Sequence, residues 1–251
     1  MQDLKVCTWN LHKCSRIRKK QQFVIDYLEM QQDADIFVLV EYTDDKSITD
    51  MLEQSNYWYR ISQTVAGNYV LIAVKKLVFD EIRPDDIITP KGVDKCYDLL
   101  HVRLHNEEND LNIIGVRFLS GNGAVKGEAK AAPLVDLLNS LESPYICTGD
   151  FNLTCSTMKA WFKRSKQAEV DGFSWILQRQ SVIDSYTAID HLLYSDNIKV
   201  ISAFYDWQFI EKAPEIYPKQ FKLGCPWKTI PFGCPDHAML VAELQLEGAM
   251  Q

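Results

Sequence analysis

Carboxamide, carboxylate and histidine side chains recur in this sequence at the ends of short apolar segments. They are Asn10, Glu41, Asp150, Asn152, Asp190, Asp236 and His237. Carboxylate and amide oxygens are the hard ligands that Mg²⁺ or Mn²⁺ prefers, whereas a zinc site would need more histidine or thiolate. A histidine beside such ligands can carry a proton during reaction at a phosphate. The residue types therefore predict a divalent-metal site that acts on a phosphoester.

The placement of these residues favours one shared site. Asn10 and Glu41 end apolar segments, and Asp150 follows another within Gly-Asp-Phe-Asn. Asp190 and Asp236 stand where later segments begin. A polar residue at the end of a strand is held rigidly and still reaches solvent. Each residue alone has an ordinary explanation, such as turn formation at Gly-Asp-x-Asn, so the whole set carries the prediction.

Short apolar segments rich in β-branched and aromatic residues predict strands. These are Leu4–Asn10, Asp35–Val40, Tyr69–Val74, Tyr97–His105, Leu111–Phe118, Tyr145–Thr148, Ile189–Tyr194 and Ala238–Leu244. Apolar periodicity predicts helices at Arg16–Gln32, Val125–Leu141 and Ser156–Ala168, with Ser15 and Ser156 as N-caps. No crossover helix interrupts the strands between Tyr57 and Phe118, which favours mixed sheets with helices outside over a singly wound parallel sheet.

Length and composition indicate an ordinary globular protein of 251 residues, 47% hydrophobic and 24% charged. We expect a single domain over residues 1–251, because no repeat or linker divides the chain. The formal net charge of -7 argues against nucleic-acid binding by bulk electrostatics, although a local basic groove is compatible with it. No apolar segment is long enough to span a membrane and no signal peptide is recognised, so we expect a cytoplasmic monomer. Seven cysteines without a secretion signal favour reduced thiols.

Taken in order, the motifs resemble the endonuclease/exonuclease/phosphatase superfamily, which includes pancreatic-type DNases, apurinic endonucleases, inositol polyphosphate 5-phosphatases and deadenylases. The matching pieces are Thr8-Trp9-Asn10, Val40-Glu41, Thr148-Gly149-Asp150-Phe151-Asn152, Ile189-Asp190-His191 and Pro235-Asp236-His237. The resemblance implies an α/β fold of the DNase I-like type, a four-layer sandwich of two packed mixed β-sheets flanked by α-helices. It also implies a Mg²⁺ or Mn²⁺ cofactor and a nucleic acid or another phosphoester as substrate.

The resemblance further implies a role for each matching position. Glu41 would be the principal metal ligand, with Asp236 close to the metal and Asn10 supporting the metal and the nucleophile. Asp150 would orient and deprotonate the attacking water, while Asn152 would hold a phosphate oxygen.

His237, oriented by Asp190, would contact the scissile phosphate and stabilise the negative charge that develops on it.

Family members commonly carry histidine or tyrosine where this chain has Arg117. A guanidinium cannot donate its proton in catalysis, but it can grip a phosphate and neutralise a departing oxyanion. The alternative is that Arg117 points to solvent from an ordinary strand. His12 stands where some relatives place a carboxylate, and either a metal contact or a surface position is open to it.

Hydrolysis of nucleic-acid phosphodiesters is the first expectation for the substrate, and a phosphomonoesterase acting on a soluble or lipid-derived phosphate is the second. Because of Arg117, a catalytically weakened member that binds nucleic acid or a protein is the alternative from another class. Basic residues interleaved with aromatic ones are typical of nucleic-acid binding, or else of solvated helix faces. They are Arg16, Arg18, Lys19 and Lys20, then Lys159, Lys163, Arg164 and Lys166 with Trp161 and Phe162. In the long loop Ala213–Pro235, the side chains expected at the substrate entrance are Trp227, Lys228 and Phe232.

Overall fold

β-Strands make up most of the protein in a computed structural model that describes residues 1–13, 18–43, 46–63, 68–88, 97–106, 110–119, 127–179, 182–217, 223–224, 230 and 234–247. The strands are β1 (Gln2–Asn10), β2 (Ile36–Tyr42), β3 (Tyr57–Ile61), β4 (Tyr69–Lys75), β5 (Ile87–Ile88), β6 (Tyr97–His105), β7 (Asp110–Phe118), β8 (Tyr145–Asp150), β9 (Lys166–Gln167), β10 (Trp175–Arg179), β11 (Val182–Thr187), β12 (Asp190–Tyr194), β13 (Ile198–Asp206) and β14 (Met239–Leu246). The α-helices are α1 (Arg18–Met30), α2 (Lys46–Gln54), α3 (Ala132–Ser140) and α4 (Cys155–Trp161). Short 3₁₀ helices cover Pro84–Asp86, Gly127–Lys130 and Gln208–Lys212.

Two six-stranded sheets form the central layers. The first has the strand order β13-β14-β1-β2-β4-β3 and the second has the order β5-β6-β7-β8-β12-β9. β10 and β11 form a separate antiparallel pair. In each large sheet one pair is parallel, β1 with β2 and β7 with β8, and the other neighbouring strands are antiparallel. The predicted pair of mixed sheets is therefore confirmed.

Alternation of side chains along the strands builds the core between the sheets. Val6 and Val38 of the first sheet and Ile113 of the second belong to one buried apolar cluster. Gly115 continues the inward-facing positions of β7, and a Cβ atom there would lie 2.5 Å from Cγ1 of Val70 and 2.8 Å from Cγ1 of Val38. The absence of a side chain at Gly115 lets β7 approach the first sheet closely.

Helices cover the outer faces and complete the four layers. Trp9, on the outer face of β1, packs in a cluster with Val24 of α1 and Leu52 of α2. On the second sheet, Leu134 of α3 and Met158 of α4 join a third cluster. Among the described residues, no helix has both the length and the apolar character needed to cross a bilayer. The arrangement confirms the predicted sandwich of two sheets between helices.

The predicted strands are all present, with ends displaced by a few residues. The sequence patterns did not predict α2, β10, β11 or β13 as separate elements. β10 and β11 lie outside the two large sheets. Their side chains therefore do not alternate regularly between buried and exposed, which is the pattern that predicts a strand.

The predicted helix at Ser156–Ala168 is wrong in its second half. α4 ends at Trp161, Phe162 turns inward and is buried, and the short strand β9 follows. The N-cap is Thr154 rather than Ser156, because the Thr154 hydroxyl accepts a hydrogen bond from the backbone N–H of Thr157.

The start of the predicted helix Arg16–Gln32 and its proposed N-cap Ser15 lie outside the described residues, and the structure describes α1 as Arg18–Met30. The helix predicted at Val125–Leu141 is shorter than expected. In the Val125–Leu141 segment, a 3₁₀ helix precedes α3, and Pro133 stands in the first turn of α3, where its missing N–H costs nothing.

Gly149 occupies a strained and crowded backbone position in β8. Its φ is +148°, and a Cβ atom would lie 1.9 Å from the carbonyl oxygen of Val116 on β7. We expect Gly149→Ala to lower the free energy of unfolding by about 3 kcal/mol or more, because backbone strain and overpacking add. Gly172→Ala is the matched control, since Gly172 has φ +97° but open space around a Cβ, and should cost about 1–2 kcal/mol. Equal losses of the two variants in urea unfolding would contradict the close approach at Gly149.

Candidate active site

The inner faces of both sheets end in polar side chains at the same end of the sandwich. Asn10 and Glu41 lie near the carboxyl ends of the parallel strands β1 and β2. Arg117 and Asp150 are register partners near the ends of β7 and β8, and Asp190 opens β12 directly opposite Asp150. Asn10 Nδ2 donates a hydrogen bond to Asp150 Oδ2 at 3.0 Å, which joins the two sheets. These residues therefore form one buried cluster.

Glu41 reaches the cluster through an irregular stretch of β2. The pairing of β2 with β4 shifts register between Leu39 and Tyr42, and Glu41 has φ +51°. Backbone bonds hold this conformation, with Lys13 N donating to the Glu41 carbonyl at 3.1 Å. A left-handed conformation at a glutamate costs of order 1–3 kcal/mol and is typical of functional sites. The irregularity directs the carboxylate toward Asn10, whose Nδ2 lies 3.5 Å from Glu41 Oε1.

Asp150 is buried and surrounded by hydrogen-bond donors. Its Oδ2 accepts from the side-chain nitrogens of Asn10 and Asn152, both at 3.0 Å, and its Oδ1 accepts from the backbone N–H of Asn152 at 2.9 Å. Burial raises the pKa of Asp150 to about 7, although the nearby charge of His237 acts in the opposite direction. The carboxyl group is therefore fixed in orientation and able to take up a proton near neutrality.

His237 and Asp190 form the predicted contact. His237 Nδ1 lies 2.8 Å from Asp190 Oδ2, and both side chains are buried. Burial alone would lower the pKa of His237, but the charge and the hydrogen bond of Asp190 raise it to about 10. The imidazole is thus a cation that donates from Nδ1 to Asp190. Its Nε2 lies 3.8 Å from Asp236 Oδ1, and the ring faces Trp175 at a centroid distance of 6.3 Å.

Arg117 is buried, so the alternative in which it points to solvent is wrong. Its Nε donates to Glu41 Oε1 at 2.8 Å and its Nη1 donates to Asp98 Oδ2 at 3.3 Å. Burial would raise the pKa of Glu41, but Arg117 and other charges lower it below its usual value. At Asp98 burial prevails over Arg117 and the pKa is raised. The Arg117 guanidinium thus bridges the two carboxylates, with the shorter contact to Glu41.

The donor set around Glu41 fits a hard divalent cation. Asp236 supplies a second carboxylate, oriented by the indole N–H of Trp175, which donates to Asp236 Oδ2 at 3.2 Å. His12 Nδ1 lies 3.4 Å from Asp236 Oδ1, so His12 stands beside the predicted metal ligands. Asn10 turns its amide nitrogen to the carboxylates, while its oxygen accepts the backbone N–H of His12 at 2.9 Å. Carboxylate oxygens from Glu41 and Asp236 are the type of ligand that Mg²⁺ or Mn²⁺ takes.

A second group could also hold a metal by proximity, because ligand atoms of Asp150, Asp190 and His237 all lie within 4.8 Å of one another. The chemistry of these groups argues against it. Protonated His237 has no lone pair to offer a metal. Asp190 Oδ2 already accepts the hydrogen bond from His237 Nδ1. Glu41 and Asp236 keep carboxylate oxygens that a metal could take, whereas the Asp190 carboxylate is engaged by His237.

Ser174 positions both halves of the His237–Asp190 pair and was not found from the sequence. Its hydroxyl accepts hydrogen bonds from the backbone N–H groups of Ile189 and Asp190, both at 3.0 Å. Its carbonyl accepts the N–H of Ala238, directly after His237, at 2.7 Å. Ser174 is fully buried. A serine between Phe173 and Trp175 gives no signal of such a role in the sequence, whereas Asp98, also missed, could have been found as an aspartate inside an apolar strand.

After the Gly-Asp-Phe-Asn motif, two of the predicted basic residues form ion pairs and one of the aromatic residues is buried. Lys159 pairs with Glu169 at 3.5 Å and Lys166 with Asp196 at 3.1 Å. Phe162 belongs to the core. Lys163 and Arg164 are exposed and Trp161 is half-buried. The remaining predicted basic and entrance residues lie outside the described residues or side chains, namely Arg16, Arg18, Lys19, Lys20, Trp227, Lys228 and Phe232.

Solved structures of the endonuclease/exonuclease/phosphatase group share this fold. The protein of that group from Bacteroides vulgatus has 16% identity and a TM-score of 0.65, with 98% of this chain and 100% of that chain covered. D. rerio TDP2 complexed with single-strand DNA product has 13% identity and a TM-score of 0.69, with 98% of this chain and 100% of that chain covered. The human Nocturnin catalytic domain with bound sulfate anion has 13% identity and a TM-score of 0.67, with 97% and 93% covered. No protein-family model and no curated protein matches the chain. The chain has the DNase I-like fold, which confirms the resemblance at the level of structure.

We expect Ser174→Ala to lower the free energy of unfolding by about 2 kcal/mol or more, because two buried N–H groups lose their acceptor. Ser185→Ala is the matched control, since Ser185 is half-buried on β11, and should cost about 0.5 kcal/mol or less. Urea unfolding of both variants measures the difference. A Ser174→Ala protein as stable as wild type would show that these N–H groups find other acceptors.

Proposed function

We propose that this protein is a divalent-metal-dependent phosphoester hydrolase that cleaves nucleic-acid phosphodiester bonds. The observation that supports the proposal most strongly is the meeting of the His237–Asp190 pair, Asp150 and Glu41 at one end of the two sheets. A proton acceptor, a buried cation and a carboxylate ligand are the parts that in-line attack of water on phosphorus requires.

In this proposal Asp150 orients the attacking water and accepts its proton. Its raised pKa of about 7 lies near neutral pH, where a general base works best. Asn10 and Asn152 fix the carboxylate through their side-chain N–H groups. The second N–H contact of Asn152, to the Phe118 carbonyl at 2.8 Å, fixes Asn152 itself. Orientation of the base thus comes from both sheets.

His237 stabilises the negative charge that develops on the phosphate. Its Nδ1–H is used by Asp190, which leaves Nε2–H to donate to a phosphate oxygen. Glu41 and Asp236 would hold a divalent cation, which would supply Lewis-acid polarisation of the phosphoester. Arg117 adds a permanent positive charge beside Glu41 and can pair with phosphate through its planar fork.

The choice of a nucleic-acid substrate is supported by the structure of D. rerio TDP2, which shares the fold and is complexed with single-strand DNA product. The sulfate anion bound to human Nocturnin supports binding of an anion by this fold. A second candidate function is binding of a nucleic acid or protein without hydrolysis. The Arg117–Glu41 hydrogen bond favours it, because the guanidinium occupies the carboxylate that would otherwise bind the metal.

Turnover separates the two candidates. We expect the purified protein to cleave a nucleic acid from a panel of DNA, RNA, abasic DNA, inositol phosphates and a chromogenic phosphodiester with Mg²⁺ or Mn²⁺, and not with a chelator. Asp150→Asn should reduce the rate by about 10²–10⁴-fold, because it removes the base. Asp184→Asn, on the exposed side of β11, is the control. Cleavage that persists with chelator or in Asp150→Asn contradicts the proposal, and a folded protein without turnover favours the binding member.

The His237–Asp190 pair gives a second prediction. Asp190→Asn removes the charge that keeps His237 protonated, so we expect kcat to fall by about 100-fold or more while KM changes little. Asp196→Asn, in the turn after β12, should leave both constants unchanged. Steady-state kinetics on the substrate found in the panel measures this effect. Wild-type kcat in Asp190→Asn would remove His237 from the proposed mechanism.

A further inference from the structure

Arg117 holds the carboxylate that the proposed function assigns to the metal. Its Nε donates to Glu41 Oε1 at 2.8 Å, and its Nη1 donates to Asp98 Oδ2 at 3.3 Å. The side chain is buried, and Asp98 lies directly opposite Arg117 in the register of β6 and β7. A permanent positive charge therefore already neutralises the Glu41 carboxylate.

The position of Arg117 on β7 places its positive charge in the site. Arg117 lies between Asp98 on β6 and Asp150 on β8 in the sheet register. Two residues earlier, Gly115 brings β7 close to β2, since a Cβ atom there would lie 2.8 Å from Cγ1 of Val38. The register therefore places Arg117 between carboxylates on both neighbouring strands.

The site holds more carboxyl groups than cations when Arg117 is counted. Its carboxyl groups are Glu41, Asp98, Asp150, Asp190 and Asp236, and its buried cations are Arg117 and His237. An additional cation is therefore attracted to the cluster as a whole. At Glu41 itself, the same cation meets the guanidinium, and like charges repel strongly where water is excluded.

We propose that Arg117 and the divalent cation compete for Glu41, and that binding of the cation releases the guanidinium to a phosphate oxygen of the substrate. The inference rests on the proposed function, because it requires a divalent cation at Glu41. Asp98 remains as an acceptor for Nη1 during the exchange. A phosphate accepts charge-assisted hydrogen bonds from the released Arg117 guanidinium, so the guanidinium no longer competes with the cation for Glu41. Cation and phosphate therefore bind cooperatively, and Arg117 couples them.

The test measures Mn²⁺ binding to the whole chain by electron paramagnetic resonance of the free ion, with and without inorganic phosphate. A titration without protein corrects for Mn²⁺–phosphate complexes. Arg117→Met removes the charge at similar length, Arg117→Lys keeps the charge, and Arg103→Met removes an exposed arginine of β6 as the control. Thermal melting by circular dichroism establishes that each variant is folded. Should Arg117→Met not fold, Arg117→Gln, whose amide can still donate to Asp98, gives the same comparison.

Without phosphate, we expect Arg117→Met to bind Mn²⁺ at least about tenfold more tightly than wild type, within the usual range of coupling. Arg117→Lys and Arg103→Met should stay within about threefold of wild type, because neither loses the buried charge. Phosphate should tighten Mn²⁺ binding by about fivefold or more in wild type and by less than about twofold in Arg117→Met.

Equal Mn²⁺ affinity of wild type and Arg117→Met would overturn the competition and leave the proposed function standing. Equal tightening by phosphate in both proteins would overturn the coupling. If no folded variant binds Mn²⁺, the competition fails together with the metal dependence of the proposed function.

Discussion

Carboxyl groups buried side by side repel one another, and this repulsion governs the end of the sandwich where the two sheets meet. An unpaired charge in a protein interior costs several kcal/mol. Here Arg117 offsets Glu41 and Asp98, and His237 offsets Asp190. Burial raises the pKa of Asp98 despite Arg117, whereas at Glu41 the charges of Arg117, His12 and His237 overcome burial and lower the pKa. The remaining negative charge gives the site its attraction for a further cation.

Such a cluster persists because the surrounding structure leaves its members no room to separate. Parallel pairing of β1 with β2, and of β7 with β8, places their carboxyl ends at one edge. Gly115 and Gly149 allow backbone approaches that a side chain would prevent. Ser174 ties the strand of Asp190 to the segment of His237 through its hydroxyl and its carbonyl. The apolar core thus provides rigidity, and these small residues determine the distances between the charged groups.

The sequence predicted much of this arrangement because its signals are local. Alternating apolar residues marked the central strands, and the Gly-Asp-Phe-Asn motif and the closing Asp-His pair marked Asp150 and His237. Contacts that depend on tertiary packing have no pattern in the sequence that predicts them. The acceptor of Arg117 depends on the approach of β7 to β2, and the role of Ser174 depends on two segments that are distant in sequence. The end of α4 at Trp161 depends on where Phe162 enters the core.

The proposal that Glu41 and Asp236 hold the metal can be tested directly by growing crystals in Mn²⁺ and recording anomalous diffraction. We expect an anomalous difference peak at the carboxylates of Glu41 and Asp236, with the Arg117 guanidinium moved away from Glu41 Oε1. A peak among Asp150, Asp190 and His237, or no peak within the cluster, would contradict the assignment of the catalytic metal to Glu41.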